Sequence, residues 1–351
     1  MKDIARMALK EGMEIAADVT SFHGDVIVKA GTKVDDAVIM KLTRYDIMLV
    51  TIMEDVDYAV TYFEKIRLSD KFKEFEKEYK SIMPKYKQIM NDILASKEFD
   101  FVSELMSIYN DIDSVVRDKD NILDFLYNML PTEDDMTYAH CLNSALIAGV
   151  FARWLNFSPE ETETLILCGF FYDIGKLMLP HELIWKPDKL TPIEFAKIKT
   201  HTILGFQAIQ DLPLSGHILK ATLSHHEKYD GSGYPSRLHD VQIDQFARII
   251  GIIDAYEAMT SARTYRPSKH PFQVIEIFEQ DIMKYDMIVL NTLLFNLANH
   301  MVGLKVLLSN DVKAEVVLIN RNKLSRPLLK DDNGCVVDLT ERSDLKIMGI
   351  Y

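Results

Sequence analysis

From residue 54 to residue 130 the chain runs through 77 residues without a glycine and with a single proline, Pro84. In EKIRLSDKFKEFEKEYKSIMPKYKQIMNDIL the apolar residues recur near helical spacing among Lys and Glu. That pattern predicts helices, with a break at Pro84, whose ring removes a backbone donor. The charged face is expected to be solvated. A helical connector and a dimerising stalk both fit, so a homodimer is left open.

The two ends read differently. In residues 1–53, short β-branched runs are separated by the turn signals His23-Gly24-Asp25 and Ala30-Gly31-Thr32, and DDAVIMKLTRYDIMLVTI reads as a short helix and a closing strand. A regulatory or interaction module and a plain scaffold both fit there. Residues 296–351 alternate apolar and polar positions between Ser-Asn-Asp, Asn-Arg-Asn and Asp-Asp-Asn-Gly turns, which suggests a small antiparallel sheet or barrel. Residues 131–295 are mainly helical and hold most of the histidines. The expected fold class is therefore mainly α: a helical domain (131–295) preceded by a helical connector (54–130) and flanked by β-rich modules (1–53 and 296–351).

At 351 residues, more than one domain is expected, and 48% hydrophobic with 26% charged residues is ordinary for a globular chain. The net charge of -13 argues against a general binder of nucleic-acid polymers but not against small anionic ligands, which need only a local positive pocket. Cys141, Cys168 and Cys335 are far apart and read as free thiols in a reducing compartment. The N-terminus lacks a signal-peptide core, and no run of 18 apolar residues spans a membrane, so a cytoplasmic protein is expected.

Chemistry enters through a dispersed set of imidazoles and carboxylates. His140 lies in MTYAHCLNSALIAGVFARW, Asp173 follows LILCGFFY, and His201 ends KIKTH. His225 and His226 are adjacent in LSHHEKYDGSGYP, and Asp254 ends ARIIGIID. Such groups suit divalent Fe, Mn or Zn. One Asp can bridge two ions, and an ion pair about 3.5–4 Å apart can clamp a phosphodiester and activate water. Taken singly, His140 also fits a hydrogen-bonded core histidine, His201 a cap and Asp254 a surface acid. The His-His pair followed by Glu and an Asp-Gly-Ser-Gly-Tyr-Pro turn is far more specific.

HHEKYDGSGYP resembles the defining motif of the HD-GYP domain, a branch of the HD phosphohydrolases. YDIGKLMLP, KLTPIEFAKIKTHTILG and IIDAYEAMTSARTYRP resemble its other segments in order and spacing, over about residues 131–295. The resemblance implies an all-α bundle holding iron or manganese and hydrolysing cyclic di-GMP to the linear dinucleotide or GMP. It implies that Asp173 bridges two ions, that His140 and Asp254 serve the first, and that His201, His225 and His226 serve the second. It further implies that Lys176 contacts the scissile phosphate, that Arg263 and Arg266 hold substrate phosphates, and that Tyr234 lines the pocket. Glu227 is expected to orient the ligating imidazoles from behind.

The sequence departs from the family pattern twice. Tyr172 stands where the family has a metal-binding His; a phenol with a pKa near 10 ligates poorly at neutral pH, although iron accepts tyrosinate. Tyr172 is thus a candidate ligand, and the first ion is expected to bind weakly. Met136 stands one helical turn before His140, where three-metal members carry Glu, and Asp135 would point roughly 100° away, so no third metal is expected. Two functions follow: a cyclic di-GMP phosphodiesterase with a weakened two-metal site, or a degenerate member that binds cyclic di-GMP or a signalling partner without hydrolysis. Hydrolysis of another phosphoester is a third reading, against which the GYP loop argues.

Overall fold

The structure is a computed structural model. It describes all residues except 1, 7–8, 22–25, 46, 48, 54–60, 120, 130–134, 185, 187–188, 262–267 and 351. The His23-Gly24-Asp25 turn, Arg263 and Arg266 lie outside the described residues. The chain divides into two compact units, Met1–Ser69 and Asp70–Tyr351.

In the first unit, β1 (Lys2–Ala5) pairs antiparallel with β4 (Leu49–Ile52), and β2 (Val19–Thr20) with β3 (Val26–Val28). Helix α1 (Asp36–Arg44) starts at Asp35, whose carboxylate accepts the Val38 N–H at 2.8 Å. Ile15, Val34, Leu42, Val50 and Ile52 make the core. A capping box at Thr61 and Glu64 starts α2 (Tyr62–Leu68).

The second unit opens with α3 (Asp70–Leu94), which continues through Pro84 rather than breaking there. Ile82, Met83, Tyr86, Ile89 and Met90 are buried on both sides of the proline. That packing outweighs the single lost backbone bond. Helices α4 (Phe101–Asp118) and α5 (Ile122–Asn128) follow, and then α6 (Met136–Trp154). Helix α6 is apolar all round and buried from Cys141 to Ala152; a helix of that composition belongs at the centre of a bundle. It packs against α3, α4, α5, α7 (Pro159–Phe171), α12 (Gln245–Thr260) and α14 (Met287–His300). Tyr86 of α3 donates to the Phe170 carbonyl at 2.8 Å, tying α3 to α7 deep in this bundle.

After α7 come a short 3-10 turn (Ile174–Met178), α8 (His181–Ile184), α9 (Pro192–Lys199), α10 (His201–Ile209) and α11 (Gly216–Ser224). Capping boxes at Ser158/Glu161 and Thr191/Glu194, each followed by a proline in the first turn, fix the starts of α7 and α9. Beyond α12, α13 (Pro271–Gln280) and α14 lead to five strands: β5 (Lys305–Leu308), β6 (Lys313–Leu318), β7 (Leu328–Asp331), β8 (Val336–Asp338) and β9 (Ile347–Ile350). They form one antiparallel sheet in the order β8-β7-β6-β5-β9, a sheet and not a closed barrel. The fold is thus mainly helical, with small antiparallel sheets at both ends. Among the described residues no helix is long and apolar enough to cross a membrane.

Candidate metal centre

The turn after α7 positions the central carboxylate. Asp173 is fully buried and precedes the 3-10 turn, and Gly175 in that turn lies against α10. A Cβ on Gly175 would stand 1.9 Å from the His201 carbonyl oxygen, so only glycine lets α10 approach this closely. The approach brings His201 Nε2 to 3.1 Å from Asp173 Oδ1, while His225, at the end of α11, brings its Nε2 to 3.6 Å from the same oxygen.

The imidazole tautomers follow from the backbone. His201 Nδ1 lies 2.7 Å from the Ile198 carbonyl, and His225 Nδ1 lies 3.1 Å from the carbonyls of Ala221 and Thr222. Each Nδ1 therefore carries the hydrogen and donates it, leaving Nε2 with its lone pair facing Asp173. Among the described residues, the buried Asp173 Oδ1 has no hydrogen-bond partner. Two nitrogen lone pairs and a carboxylate oxygen turned towards one another need a cation between them. Burial lowers the pKa of His201 and, more strongly, of His226, so both are held neutral, as ligands must be.

One donor atom from each of Asp173, His201, His225 and His226 lies within 4.8 Å of the others. A second group, His140, Asp173 and Asp254, meets the same criterion. Asp173 belongs to both, so the donor set fits two ions sharing one carboxylate. On the second side, His140 Nε2 lies 3.0 Å from Asp254 Oδ1 and 3.3 Å from Asp173 Oδ2. Burial opposes a charged His140, but Glu257, Asp173 and Asp254 outweigh it and raise its pKa well above the ordinary histidine range. A proton is thereby held where a cation would sit. Burial also opposes the Asp173 carboxylate, yet the Lys176 ammonium and the protonated His140 ring hold its pKa well down. Lys176 Nζ contacts Asp173 Oδ2 directly.

Tyr172 is fully buried in this centre. Its hydroxyl lies 2.6 Å from His140 Nε2 and 3.0 Å from Ser144 Oγ. Burial, reinforced by Asp254 and Asp173, pushes its pKa well above the usual phenol value, which keeps it a neutral hydrogen-bonding group. Met136 is buried, and the Asp135 carboxylate is bound by Lys87.

Tyr234 is stacked on His226, with ring centres 4.7 Å apart and planes at 27°. Glu227 does not back the imidazoles as expected. Its carboxylate turns to the loop, accepting the Ser236 N–H at 2.6 Å and the Leu238 N–H at 3.1 Å. Gly233 allows that arrangement, because a Cβ there would stand 2.4 Å from Glu227 Cα.

The residue that backs a histidine is Glu257, which the sequence reading passed over. It receives the His140 Nδ1 hydrogen directly, and Asn143 and Ser261 donate to its other oxygen. Asn143 in turn accepts from Tyr79 at 2.8 Å. The available signal was spacing: Glu257 follows Asp254, and Asn143 follows His140, by three residues on one helix face. Among the expected site residues, His140, Tyr172, Asp173, Lys176, His201, His225, His226 and Asp254 come together, with Tyr234 alongside.

These features define a helical bundle whose buried histidines and aspartates converge on one shared carboxylate. The chain belongs to the HD domain family, whose model matches residues 89–289. It is 33% identical over 155 residues to 3'3'-cGAMP-specific phosphodiesterase 1 of Vibrio cholerae, covering 44% of this chain and 36% of that protein. It is 34% identical over 154 residues to a cyclic di-GMP phosphodiesterase of Pseudomonas aeruginosa, covering 44% and 37%. The chain spans well under two thirds of the length of these relatives. Among solved structures, an HDG"Y"P protein from Bdellovibrio bacteriovorus superposes with a TM-score of 0.51 at 16% identity, covering 84% of this chain and 99% of that one, a likeness of fold.

Proposed function

We propose that the chain is a metal-dependent phosphodiesterase that hydrolyses cyclic di-GMP to the linear dinucleotide or GMP. The observation that carries this reading is the shared, buried Asp173 carboxylate, whose Oδ1 faces His201 and His225 and whose Oδ2 faces His140. Its hard and borderline oxygen and nitrogen donors suit iron or manganese. His201, His225 and His226 would hold one ion, His140 and Asp254 the other, and Asp173 both. When bound, such ions supply Lewis acidity and lower the pKa of a water towards neutrality.

The chain's own residues prepare the site. The backbone carbonyls behind His201 and His225 fix both Nε2 atoms forward. Lys176 offers an ammonium to the scissile phosphate from beside Asp173, and Arg263 and Arg266 add phosphate contacts. Relatives named as cyclic di-GMP and 3'3'-cGAMP phosphodiesterases support the substrate class. Cyclic di-GMP is an intracellular messenger, so the reading implies a cytoplasmic protein.

One observation favours a second reading, binding without hydrolysis, by cyclic di-GMP or by a signalling partner: the Tyr172 hydroxyl occupies the approach to His140 Nε2. The deciding experiment is full-length protein loaded anaerobically with Fe(II) or Mn(II) and assayed on cyclic di-GMP. Turnover well above a His201→Ala control is expected. Equal rates would overturn the enzymatic reading, and nucleotide binding by calorimetry would then support the second.

A further inference from the structure

The loop after the histidine pair carries a feature that the metal centre does not use. Lys199, Thr200, Ile203, Gly231 to Pro235 and Arg237 line a cavity of about 470 Å³. Tyr234 is the wall between this cavity and the metal centre. His226 covers one ring face, and the Lys199 ammonium sits over the ring, 5.0 Å from its centre and 4.6 Å from that of Phe195. Neither Lys199 nor Arg237 is ion-paired with a carboxylate among the described residues.

Arg237 has a φ of +56°, a region that residues other than glycine seldom enter. It is held there from both sides, because the buried Glu227 carboxylate fastens the N–H groups of Ser236 and Leu238. Glycine would make the same turn without strain. A strained residue kept in place by a buried carboxylate points to a task for its side chain, and the side chain lines the cavity.

We propose that this cavity is an anion subsite that binds the phosphate not being cleaved in a cyclic dinucleotide seated at the metal centre, an inference that rests on the functional reading above. A cyclic dinucleotide carries two phosphates, and engaging both requires a second cationic pocket beside the first. Lysine supplies a point charge and arginine a two-pronged donor, both suited to phosphate. The Tyr234 ring separates the two subsites while touching a histidine of the first.

The test uses full-length Mn(II)-loaded protein, titrated calorimetrically with cyclic di-GMP and assayed in parallel on bis(p-nitrophenyl) phosphate, which has a single phosphate. Lys199→Gln and Arg237→Gln are expected to weaken cyclic di-GMP binding about tenfold each, the loss of roughly one charged contact, with hydrolysis of the small diester unchanged. Arg237→Gly, which suits the backbone, is expected to keep or raise the melting temperature and still bind weakly. Wild-type affinity in the variants would overturn the subsite and leave the functional reading intact. Equal losses on both substrates would also overturn it, by assigning the residues to the metal centre or to folding. Wild-type protein that binds no cyclic di-GMP would remove both proposals, whereas binding without cleavage removes only hydrolysis.

Discussion

The Tyr172 hydroxyl lies 2.6 Å from His140 Nε2, the ring atom that also faces Asp254 Oδ1 and Asp173 Oδ2. With the Nδ1 hydrogen committed to Glu257, Nε2 is the atom that would face an ion, and both the proton held on it and the Tyr172 hydroxyl bonded to it stand in that place. A cation on that nitrogen must displace this hydrogen bond. Among the described residues no hydroxyl is hydrogen-bonded to a ring nitrogen of His201, His225 or His226, so the two halves of the centre should differ in affinity.

Tyr172→His is therefore expected to raise the retained metal from about one ion per chain towards two, with the weaker ion tightening by roughly tenfold or more. Metal analysis after gel filtration, on protein purified without air, reads this out. The same substitution should raise phosphodiesterase activity. Unchanged stoichiometry would show that Tyr172 does not limit the site.

Glu257→Gln keeps the shape of the side chain but removes the charge that receives the His140 Nδ1 hydrogen. The affinity of the ion held by His140 and Asp254 should fall 10- to 100-fold, as is typical when the group behind a ligating histidine is lost. The ion held by His201, His225 and His226 should stay. Calorimetric titration with Mn(II) separates the two events, and equal weakening of both would contradict the assignment.

Much of this centre was legible in the sequence, because its ligands sit in short motifs whose residue types have few other uses. HHEKYDGSGYP and YDIGK supply His225, His226, Asp173 and Lys176 without reference to the fold. The direction in which Glu227 points was not legible. Beside two imidazoles in sequence, it turns away because the chain reverses at Gly233 and brings the amides of Ser236 and Leu238 onto it. Glu257 was hidden for the converse reason: its partner His140 is 117 positions away in the chain. The continuity of α3 through Pro84 was equally out of reach, since it depends on residues such as Phe170 that Tyr86 meets across the bundle.

The tight contact at Gly175 gives a stability prediction. Gly175→Ala forces a Cβ to 1.9 Å from the His201 carbonyl oxygen, which neither backbone can absorb without moving a ligand. A loss of about 3 kcal/mol or more is expected, at the upper end for overpacking. Gly216→Ala in α11 is the control, since nothing lies within 4 Å of the added atom. It should be neutral or stabilising by up to about 1 kcal/mol, because alanine favours helix. Urea unfolding with matched slopes compares the two.

His270 gives the chain a pH dependence outside the metal centre. Its Nε2 lies 3.0 Å from the Ile347 carbonyl, joining the start of α13 to β9, and its buried Nδ1 has no partner among the described residues. Burial depresses its pKa to about 4, against the small opposing effect of the Ile347 bond. A proton added to Nδ1 would bury an N–H with no acceptor. Between the ordinary histidine value and pH 4, the unfolded chain therefore binds a proton that the folded chain refuses. The stabilisation is fully present above about pH 6.5 and is lost as the pH falls towards 4, by on the order of 3 kcal/mol. His270→Gln can still donate to Ile347 and does not titrate. Wild type should thus lose stability more steeply than this variant across that window in denaturant unfolding, and parallel curves would show that His270 is not the titrating group.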